Sequence, residues 1–194
     1  MATNVCKLSK FSLESCLFTS PLGLINVSAC SQGLHSMGLE EDLTDANFSP
    51  KEITDVQVLG KKSQDLSEIM ETCHEWLQHY FTDLKNLSRV PSPDICAFKQ
   101  KELAFRVKVW KTLKETVHPG EVITYGDLAK RLNNPGAVRA VGSAMRNNPT
   151  GIIVPCHRVV RANDMGLYSG GTRQSVKVWL LRHEGIDKYT MPEP

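Results

Sequence analysis

The hydrophobic period of the sequence changes near residue 63, and this change limits the folds open to the chain. Before it, short apolar runs are separated by proline and glycine, as in FSLESCLF, LINVSAC and LHSMGLE. Such runs predict an antiparallel meander of strands. After it, apolar side chains recur at the i, i+3, i+4, i+7 spacing of an amphipathic helix over residues 63–81. The first part of the chain is therefore predicted to be an α/β domain, an antiparallel sheet plus a helix.

Residues 86–95 are rich in proline and serine and mark the expected domain boundary. The balance of charged side chains changes sign there, from −6 over residues 1–96 to +8 over residues 97–194. We predict an N-terminal domain over residues 1–92 and a C-terminal domain over residues 97–188. A basic half is typical of a protein that contacts a polyanion such as nucleic acid. A basic surface without a partner is the alternative.

Helical patterns dominate the second half. The first predicted helix covers residues 101–117, and the last covers residues 174–184 and ends at Gly185. Between them, Thr124 is positioned as an N-cap with Asp127 three residues later. Two short helices separated by the turn NNPG then predict a helix-turn-helix. The C-terminal domain is thus predicted to be mainly α, with a short sheet that carries a cysteine.

Several features argue against a secreted or membrane protein. The N-terminus has no uninterrupted apolar core of a signal peptide, and no stretch reaches 18 apolar residues. The six cysteines, at positions 6, 16, 30, 73, 96 and 156, lack the spacing of a disulfide framework. They are interpreted as reduced thiols, which predicts a cytosolic or nuclear protein.

The stretch GIIVPCHRVVR places Cys156 and His157 side by side at the end of an apolar run. A cysteine reacts as its thiolate and needs a base or cation nearby. Adjacent side chains on a strand point to opposite faces, so His157 can act on Cys156 only if the chain turns there or a water bridges them. Pro155 favours such an end, because it cannot donate to a central ladder. Cys156 is a candidate nucleophile, and a buried inert thiol is the alternative.

The segment AVRAVGSAMR combines small residues with arginines. Small side chains leave a helix face that can approach another surface closely, and Arg139 and Arg146 add charge for phosphates. Packing of one helix on another is the alternative. The small residues are Ala137, Ala140, Gly142 and Ser143.

Five sequence blocks follow in order between residues 105 and 185: YGDLA, RAVGSAMRNNP, PCHRVV, YSGG and WLLRHEG. This set resembles the alkylguanine-DNA alkyltransferases, also called methylated-DNA–protein-cysteine methyltransferases. TSPLG and SACSQGLH extend the resemblance more weakly into the first domain. The resemblance implies DNA repair by direct damage reversal. An alkyl group would pass from O-6-alkylguanine, or from O-4-methylthymine, to a cysteine of the chain itself.

The resemblance implies catalytic roles for four residues. Cys156 would accept the alkyl group, while His157, through a water, and Glu184 would form the relay that deprotonates it. Asn148 would brace the active-site loop. No cofactor is implied for the transfer, and the thioether product has no easy hydrolytic exit, so one turnover per molecule is expected. The guanine pocket would be lined by Val159, Tyr168 and Ser169.

The resemblance also implies how DNA is bound. A base inside a duplex cannot be attacked, so the nucleotide is flipped out. Arg139 would enter the stack in its place, and Tyr125 would rotate the phosphate and donate to the leaving base. The recognition helix would enter the minor groove, whereas the helix-turn-helix pattern alone predicts the major groove. The further implied DNA contacts are Gly126, Asn134, Ala137, Ala140 and Gly142.

We expect a monomer that acts on alkylated double-stranded DNA in the nucleus, without a membrane partner. Some family members hold a structural zinc in the first domain through two cysteines and two histidines. Cys30 and His35, within SACSQGLH, match two of those positions. A buried Cys30 and an exposed His35 without metal are the alternative. The candidates for the other two ligands are Cys6 or Cys16 and Asp94 or Cys96.

Two other functions remain open from the residues. A non-catalytic lesion binder of the same fold would lack the cysteine that this chain has. A cysteine hydrolase would need a histidine separate in sequence and an oxyanion hole at a helix N-terminus. Neither hydrolase feature is evident around Cys156. The presence of Cys156 counts against the lesion binder, so both alternatives are weaker than the alkyltransferase.

Overall fold

The computed structural model describes residues 13–53, 55–60 and 66–190. The chain forms two compact units. The first comprises Met1–Asp42 and Ser49–Gln100, and the second comprises Leu43–Phe48 and Lys101–Pro194. The short segment Leu43–Phe48 thus belongs to the second unit although it interrupts the first in sequence. The domain limits 1–92 and 97–188 stay a proposal.

The first unit contains a four-stranded antiparallel sheet in the order β3-β2-β1-β4. The predicted meander is confirmed: the first strand pairs with the second, and the second pairs with the third. The fourth strand is only two residues long and pairs with β1. The sequence patterns did not predict it. The strands are β1 (Glu14–Ser20), β2 (Gly23–Cys30), β3 (Gly33–Leu39) and β4 (Val58–Leu59).

Helix α1 (Glu68–Thr82) covers the sheet with an apolar face. Ser67 caps it by accepting a hydrogen bond from the backbone N–H of Met70. The helix therefore begins later than the predicted residue 63. Residues 63–65 lie outside the described residues. The buried face consists of Met70, Cys73, Trp76, Leu77, Tyr80 and Phe81.

The second unit is mainly helical and contains one two-stranded parallel sheet, which confirms the predicted fold class. The parallel strands pair Ile123 with Val159 and Thr124 with Val160. None of the helices in the part of the chain that the structure describes is long and apolar enough to cross a bilayer. The elements are α2 (Ala104–Thr116), β5 (Ile123–Thr124), α3 (Tyr125–Arg131), α4 (Val138–Arg146), β6 (Val159–Val160) and α5 (Gln174–His183).

Helices α3 and α4 form the predicted pair of short helices. Thr124 caps α3, since its hydroxyl accepts from the Asp127 N–H at 3.0 Å. The turn between the helices passes through Asn133, whose φ of 59° lies in the left-handed region that asparagine tolerates. The indole N–H of Trp110 on α2 donates to the carbonyl of Ala144 at 2.9 Å and fixes α4 against α2.

The expected strand before Cys156 is wrong. Residues 151–153 form turns, and Ile153 N donates to the Gly151 carbonyl at 2.9 Å. Ile152 has a φ of 71°, a conformation that a β-branched residue adopts only at a cost of about 1–3 kcal/mol. A run of buried apolar residues does not distinguish a strand from a packed turn. Here the run is a strained, buried turn that leads directly to the thiol.

Candidate active site

Cys156 lies in a single 3₁₀ turn, Cys156–Arg158, immediately before β6. Arg158 N donates to the Pro155 carbonyl at 2.9 Å and closes the turn. The chain therefore turns at the cysteine. A turn here was the requirement for the adjacent side chains of Cys156 and His157 to take part in the same site. Cys156 is half-buried, whereas His157 and Arg158 are buried.

A buried ionic network joins the turn to the end of α5. His157 Nε2 lies 2.8 Å from Glu184 Oε1. Arg158 donates to the same carboxylate twice, from Nε to Oε2 and from Nη2 to Oε1, each at 2.8 Å. Its Nη1 donates to the Val117 carbonyl at 2.6 Å. A guanidinium in this forked geometry fixes the carboxylate in both position and charge.

The end of α5 places Glu184 at the network. Gly185 has a φ of 85°, its N–H donates to the Arg182 carbonyl at 2.8 Å, and Ile186 N donates to the Leu181 carbonyl at 2.9 Å. These two bonds form a Schellman motif with Gly185 after the C-cap, as predicted from the sequence. Glu184 is therefore the last residue before the turn, and its side chain remains buried.

The network sets the protonation states of its members. Burial alone would raise the pKa of Glu184, but the charges and hydrogen bonds of His157 and Arg158 hold that pKa well below its usual range. Burial lowers the pKa of His157, against the opposing effect of Glu184. At neutral pH the pair is thus a carboxylate and a neutral imidazole. The imidazole donates from Nε2 to Glu184, and its Nδ1 has no protein hydrogen-bond partner within residues 13–53, 55–60 and 66–190.

Cys156 itself is surrounded by groups that partly offset its burial. Burial raises the pKa of the thiol, while a hydrogen bond from Asn148, the charge of Lys177 and a hydrogen bond from Tyr168 lower it. The net pKa is still raised. The cysteine therefore needs a base to become a thiolate at neutral pH.

Lys177 on α5 is a buried cation that the sequence interpretation missed. Its Nζ donates to the carbonyls of Val159 at 2.8 Å and Met165 at 2.6 Å. Burial lowers its pKa to about 8, while a charge on Cys156 acts in the opposite direction. A signal for it existed: Lys177, Leu180, Leu181 and Glu184 follow the i, i+3, i+4, i+7 rule, and all four are buried.

Asn148 connects two parts of the loop before the thiol. Its Nδ2 donates to the Val154 carbonyl at 2.8 Å, and its Oδ1 accepts from Thr150 N at 3.1 Å. The amide thus supports the strained turn that contains Ile152. This geometry matches a bracing role.

The predicted pocket residues lie on two segments. Val159 is fully buried, and its carbonyl is engaged by Lys177. Burial, followed by the negative charge of Cys156, raises the pKa of Tyr168 well above the usual value. It therefore stays a neutral phenol beside the sulfur. Ser169 is exposed with a φ of 48°.

Helix α4 presents small residues to the outside. Arg139 and Ala140 are exposed. Apart from its chain neighbours and the nearby backbone of α4, no heavy atom of the described residues lies within 4 Å of the position that a Cβ on Gly142 would take. Internal packing therefore explains the small size of neither Ala140 nor Gly142, whereas Ala144 is buried.

The other predicted DNA contacts lie around this helix. Tyr125 opens α3, and burial together with a charge on Cys156 raises its pKa. Asn134 is exposed in the turn between the helices, followed by the 3₁₀ segment Pro135–Ala137. Gly126 is the second residue of α3, where a Cβ would lie 3.8 Å from the Thr124 hydroxyl. The structure thus places these residues on or between α3 and α4.

A separate cluster of metal-binding residue types lies in the first unit. One ligand atom each from Cys30, His35 and Cys96 lies within 4.8 Å of the others, and all three residues are buried. Cys96 Sγ is 3.5 Å from His35 Nδ1. The expected exposure of His35 in the metal-free alternative is wrong. The Asp94 side chain is exposed and pairs with Lys99, so Cys96 occupies the position for which both were candidates. Cys6 lies outside the described residues.

Residues 104–186 match the family model described as 6-O-methylguanine DNA methyltransferase, DNA binding domain. The methylated-DNA–protein-cysteine methyltransferase of Cricetulus griseus is 42% identical over 173 residues, covering 88% of this chain and 81% of the relative. The protein of the same name from Homo sapiens is 40% identical over 183 residues, covering 93% and 82%.

The fold is similar to that of solved structures from the same group. The O6-methylguanine methyltransferase of Mycobacterium tuberculosis superposes with a TM-score of 0.61 at 26% identity, covering 94% of this chain and 97% of that one. A structure of the Mycobacterium tuberculosis protein in complex with DNA gives a TM-score of 0.60 at 27% identity, covering 90% and 94%. The chain belongs to the methylated-DNA–protein-cysteine methyltransferase family.

Proposed function

We propose that Cys156 is the residue that takes the alkyl group from oxygen-6 of guanine in DNA. As a member of its family, the chain is a methyltransferase that repairs DNA by direct reversal, transferring an alkyl group to a cysteine. The observation that carries the assignment to Cys156 is its position. It is the half-buried thiol in a turn whose next two residues are locked to a buried carboxylate.

The relay begins at His157. Glu184 accepts a hydrogen bond from the Nε2–H group, which leaves Nδ1 as the ring nitrogen able to take a new proton. A proton from Cys156 passes to Nδ1 through a bridging water, and the resulting imidazolium is stabilised by the adjacent carboxylate. Arg158 keeps Glu184 ionised and oriented throughout. We propose that Asn148 and Tyr168 donate to the ionised sulfur and stabilise its negative charge, since both lower the pKa of the thiol.

The thiolate then attacks the alkyl carbon. The new bond joins sulfur to carbon, the bond between carbon and oxygen-6 breaks, and its electron pair stays on the guanine. Tyr125 donates a proton to the base. The proton that left Cys156 then restores the phenol of Tyr125, so that no proton is lost or gained overall. The thioether has no low-barrier route back to a thiol, so each molecule acts once. O-4-methylthymine presents the same alkyl-oxygen chemistry and is a second substrate.

Helix α4 is the proposed DNA-reading element. Exposed Ala140 and the open space around Gly142 support close approach of a groove wall. The short side chains of α4 suit the narrow minor groove. Arg139 is long enough to occupy the space that the flipped nucleotide leaves in the base stack. The proposed DNA contacts beyond α4 are Gly126 on α3 and, in the turn between the two helices, Asn134 and Ala137. Protection of minor-groove atoms from chemical modification, with major-groove atoms left reactive, would be the expected footprint.

The first unit is proposed to hold a structural zinc. Sulfur and nitrogen ligands of tetrahedral zinc lie about 3.6 Å apart, from bond lengths of about 2.3 and 2.05 Å, and the Cys96–His35 separation fits this value. Cys30, His35 and Cys96 would supply three ligands, and Cys6 and Cys16 are the two candidates for the remaining one. The metal would fix the end of β2 to the segment around Cys96 without a part in the transfer. Metal analysis of the full chain should find one zinc per molecule, and less in Cys96→Ser with alkyl transfer retained.

We further propose a monomer that works in the nucleus, where its substrate lies. Sedimentation of the free and DNA-bound chain tests the first statement, and imaging of the tagged chain tests the second. The test of the function itself is stoichiometry. Excess duplex with a radiolabelled O-6-methylguanine should transfer one methyl per molecule of protein and then stop. Cys156→Ala should bind the duplex and transfer none.

A further inference from the structure

A segment far away in sequence contacts the start of α5. Leu43–Phe48 belongs to the second unit. Its Asp45 N donates to the Thr172 carbonyl at 2.8 Å, and Arg173 Nε donates to the Leu43 carbonyl at 2.8 Å. These bonds place the Asp45 carboxylate at the N-terminus of α5.

Asp45 caps that helix from about 130 residues earlier in the chain. Its Oδ1 accepts from the N–H and the hydroxyl of Ser175, both at 2.6 Å, and its Oδ2 accepts from Gln174 N at 3.0 Å. Arg173, which occupies the N-cap position, makes no capping hydrogen bond with its side chain within the described residues. A negative charge at a helix N-terminus is stabilised by the free N–H groups. Asp45 therefore fills the role that the local sequence leaves open.

Gln174, the first residue of the capped helix, also holds residues 166–168, which include the predicted pocket residue Tyr168. Gln174 Oε1 accepts from Tyr168 N at 2.6 Å, and its Nε2 donates to the Gly166 carbonyl at 3.1 Å. The phenol of Tyr168 lies close enough to Cys156 for each group to shift the pKa of the other. Hydrogen bonds thus link Asp45 to Gln174 and Gln174 to the backbone of Tyr168, whose phenol lies beside the sulfur.

We propose that Asp45 is a positioning residue for alkyl transfer. It fixes Gln174, and Gln174 fixes the backbone at Tyr168, so that the phenol stays at the distance from the sulfur at which it stabilises the thiolate. Small displacements of such groups reduce rates steeply, since catalytic geometry tolerates little error. The proposal rests on the assignment of Cys156 as the alkyl acceptor.

A purely stabilising cap would behave differently, and Ser67→Ala is the matched control. Ser67 caps α1, which belongs to the first unit. Both Asp45→Ala and Ser67→Ala remove one N-cap, so both lower the midpoint of denaturant unfolding. Rates are measured at a temperature at which circular dichroism shows all variants folded.

The experiment measures single-turnover alkyl transfer as a function of the concentration of a duplex with O-6-methylguanine. Asp45→Ala should lower the limiting rate by up to about 100-fold, the scale of a misplacement of about 1 Å. Its affinity for unmodified duplex should be unchanged, and Asp45→Asn, which keeps one acceptor oxygen, should fall between. Ser67→Ala should keep the limiting rate of the parent chain.

A double-variant cycle tests the route. Because Asp45 acts through Gln174, Asp45→Ala combined with Gln174→Ala should be no slower than Gln174→Ala alone. Additive losses, a parental rate in Asp45→Ala, or an equal loss in Ser67→Ala would each overturn the proposal. If the parent chain itself fails to alkylate Cys156, the proposed function is wrong. If the parent reacts and Asp45→Ala reacts equally fast, only the role of Asp45 is wrong.

Discussion

Replacement of Glu184 by glutamine isolates the charge at the centre of the buried network. Glu184 accepts three hydrogen bonds of 2.8 Å from His157 and Arg158, and its side chain is fully shielded from solvent. Glutamine keeps the shape but turns one acceptor into a donor and leaves Arg158 without a countercharge. Removing one partner of a buried ion pair costs about 3–5 kcal/mol. We expect the free energy of unfolding of Glu184→Gln to fall by this amount.

The transfer rate should fall as well, because His157 loses the partner that orients it and stabilises its cation. A positioned acid–base group contributes about 10²–10⁴-fold, so a loss within that range is expected. Urea unfolding monitored by tryptophan fluorescence gives the stability, and single-turnover transfer gives the rate. Glu115→Gln, an exposed change on α2, is the control and should stay within about 0.5 kcal/mol of the parent chain. A stability loss below about 1 kcal/mol in Glu184→Gln would refute the buried charge pairing.

The same carboxylate predicts a pH dependence of stability. The pKa of Glu184 is lowered in the folded chain. Its stabilising contribution is therefore complete above the pKa of an unfolded glutamate, about 4.3, and is lost as the pH falls below it toward the folded pKa. The difference in unfolding free energy between the parent and Glu184→Gln should be largest near neutral pH and shrink in acid. A difference that grows in acid would contradict the sign of the shift.

Three further substitutions test other parts of the site. Gly142→Ala should raise the unfolding free energy by about 0.5–1 kcal/mol, because the added Cβ on the helix meets open space. The same change should weaken duplex binding. An affinity equal to that of the parent chain in a filter-binding assay would contradict close groove contact at this position. Arg139→Ala should slow transfer from duplex DNA and spare transfer from a free O-6-alkylguanine base; equal losses on both substrates would argue against a role in base flipping. Lys177→Met should raise the pKa of Cys156, seen as a shift to higher pH in the iodoacetamide reaction of the thiol, because a nearby cation is lost. That difference should narrow above pH about 8, where Lys177 of the parent chain loses its proton.

Local patterns were enough to predict much of the fold. The meander follows from short apolar runs separated by turn residues, and the caps at Thr124 and Gly185 follow from residue types at fixed offsets. The two-residue strand β4 could not be predicted, since two residues carry no period. The beginning of α1 was placed too early because Leu66 continues the apolar period although the N-cap is Ser67.

The site was predicted less completely, and for a different reason. Sequence rules assign charged side chains to the surface, so the buried Arg158 and Lys177 received no role although both lie among apolar neighbours. The turn at Ile152 was expected to be a strand, because a left-handed conformation at a β-branched residue goes against local preference and is imposed by the fold. Asp45 reaches α5 from about 130 positions away, and no local pattern reports such a contact.

The measurement that tests the central claim most directly is peptide mass spectrometry after reaction with a duplex that carries one O-6-methylguanine. We predict a gain of one methyl group on the peptide that contains Cys156, no more than one per molecule, and none in Cys156→Ala. A methyl group on another cysteine, or duplex binding without any gain in mass, would contradict Cys156 as the alkyl acceptor.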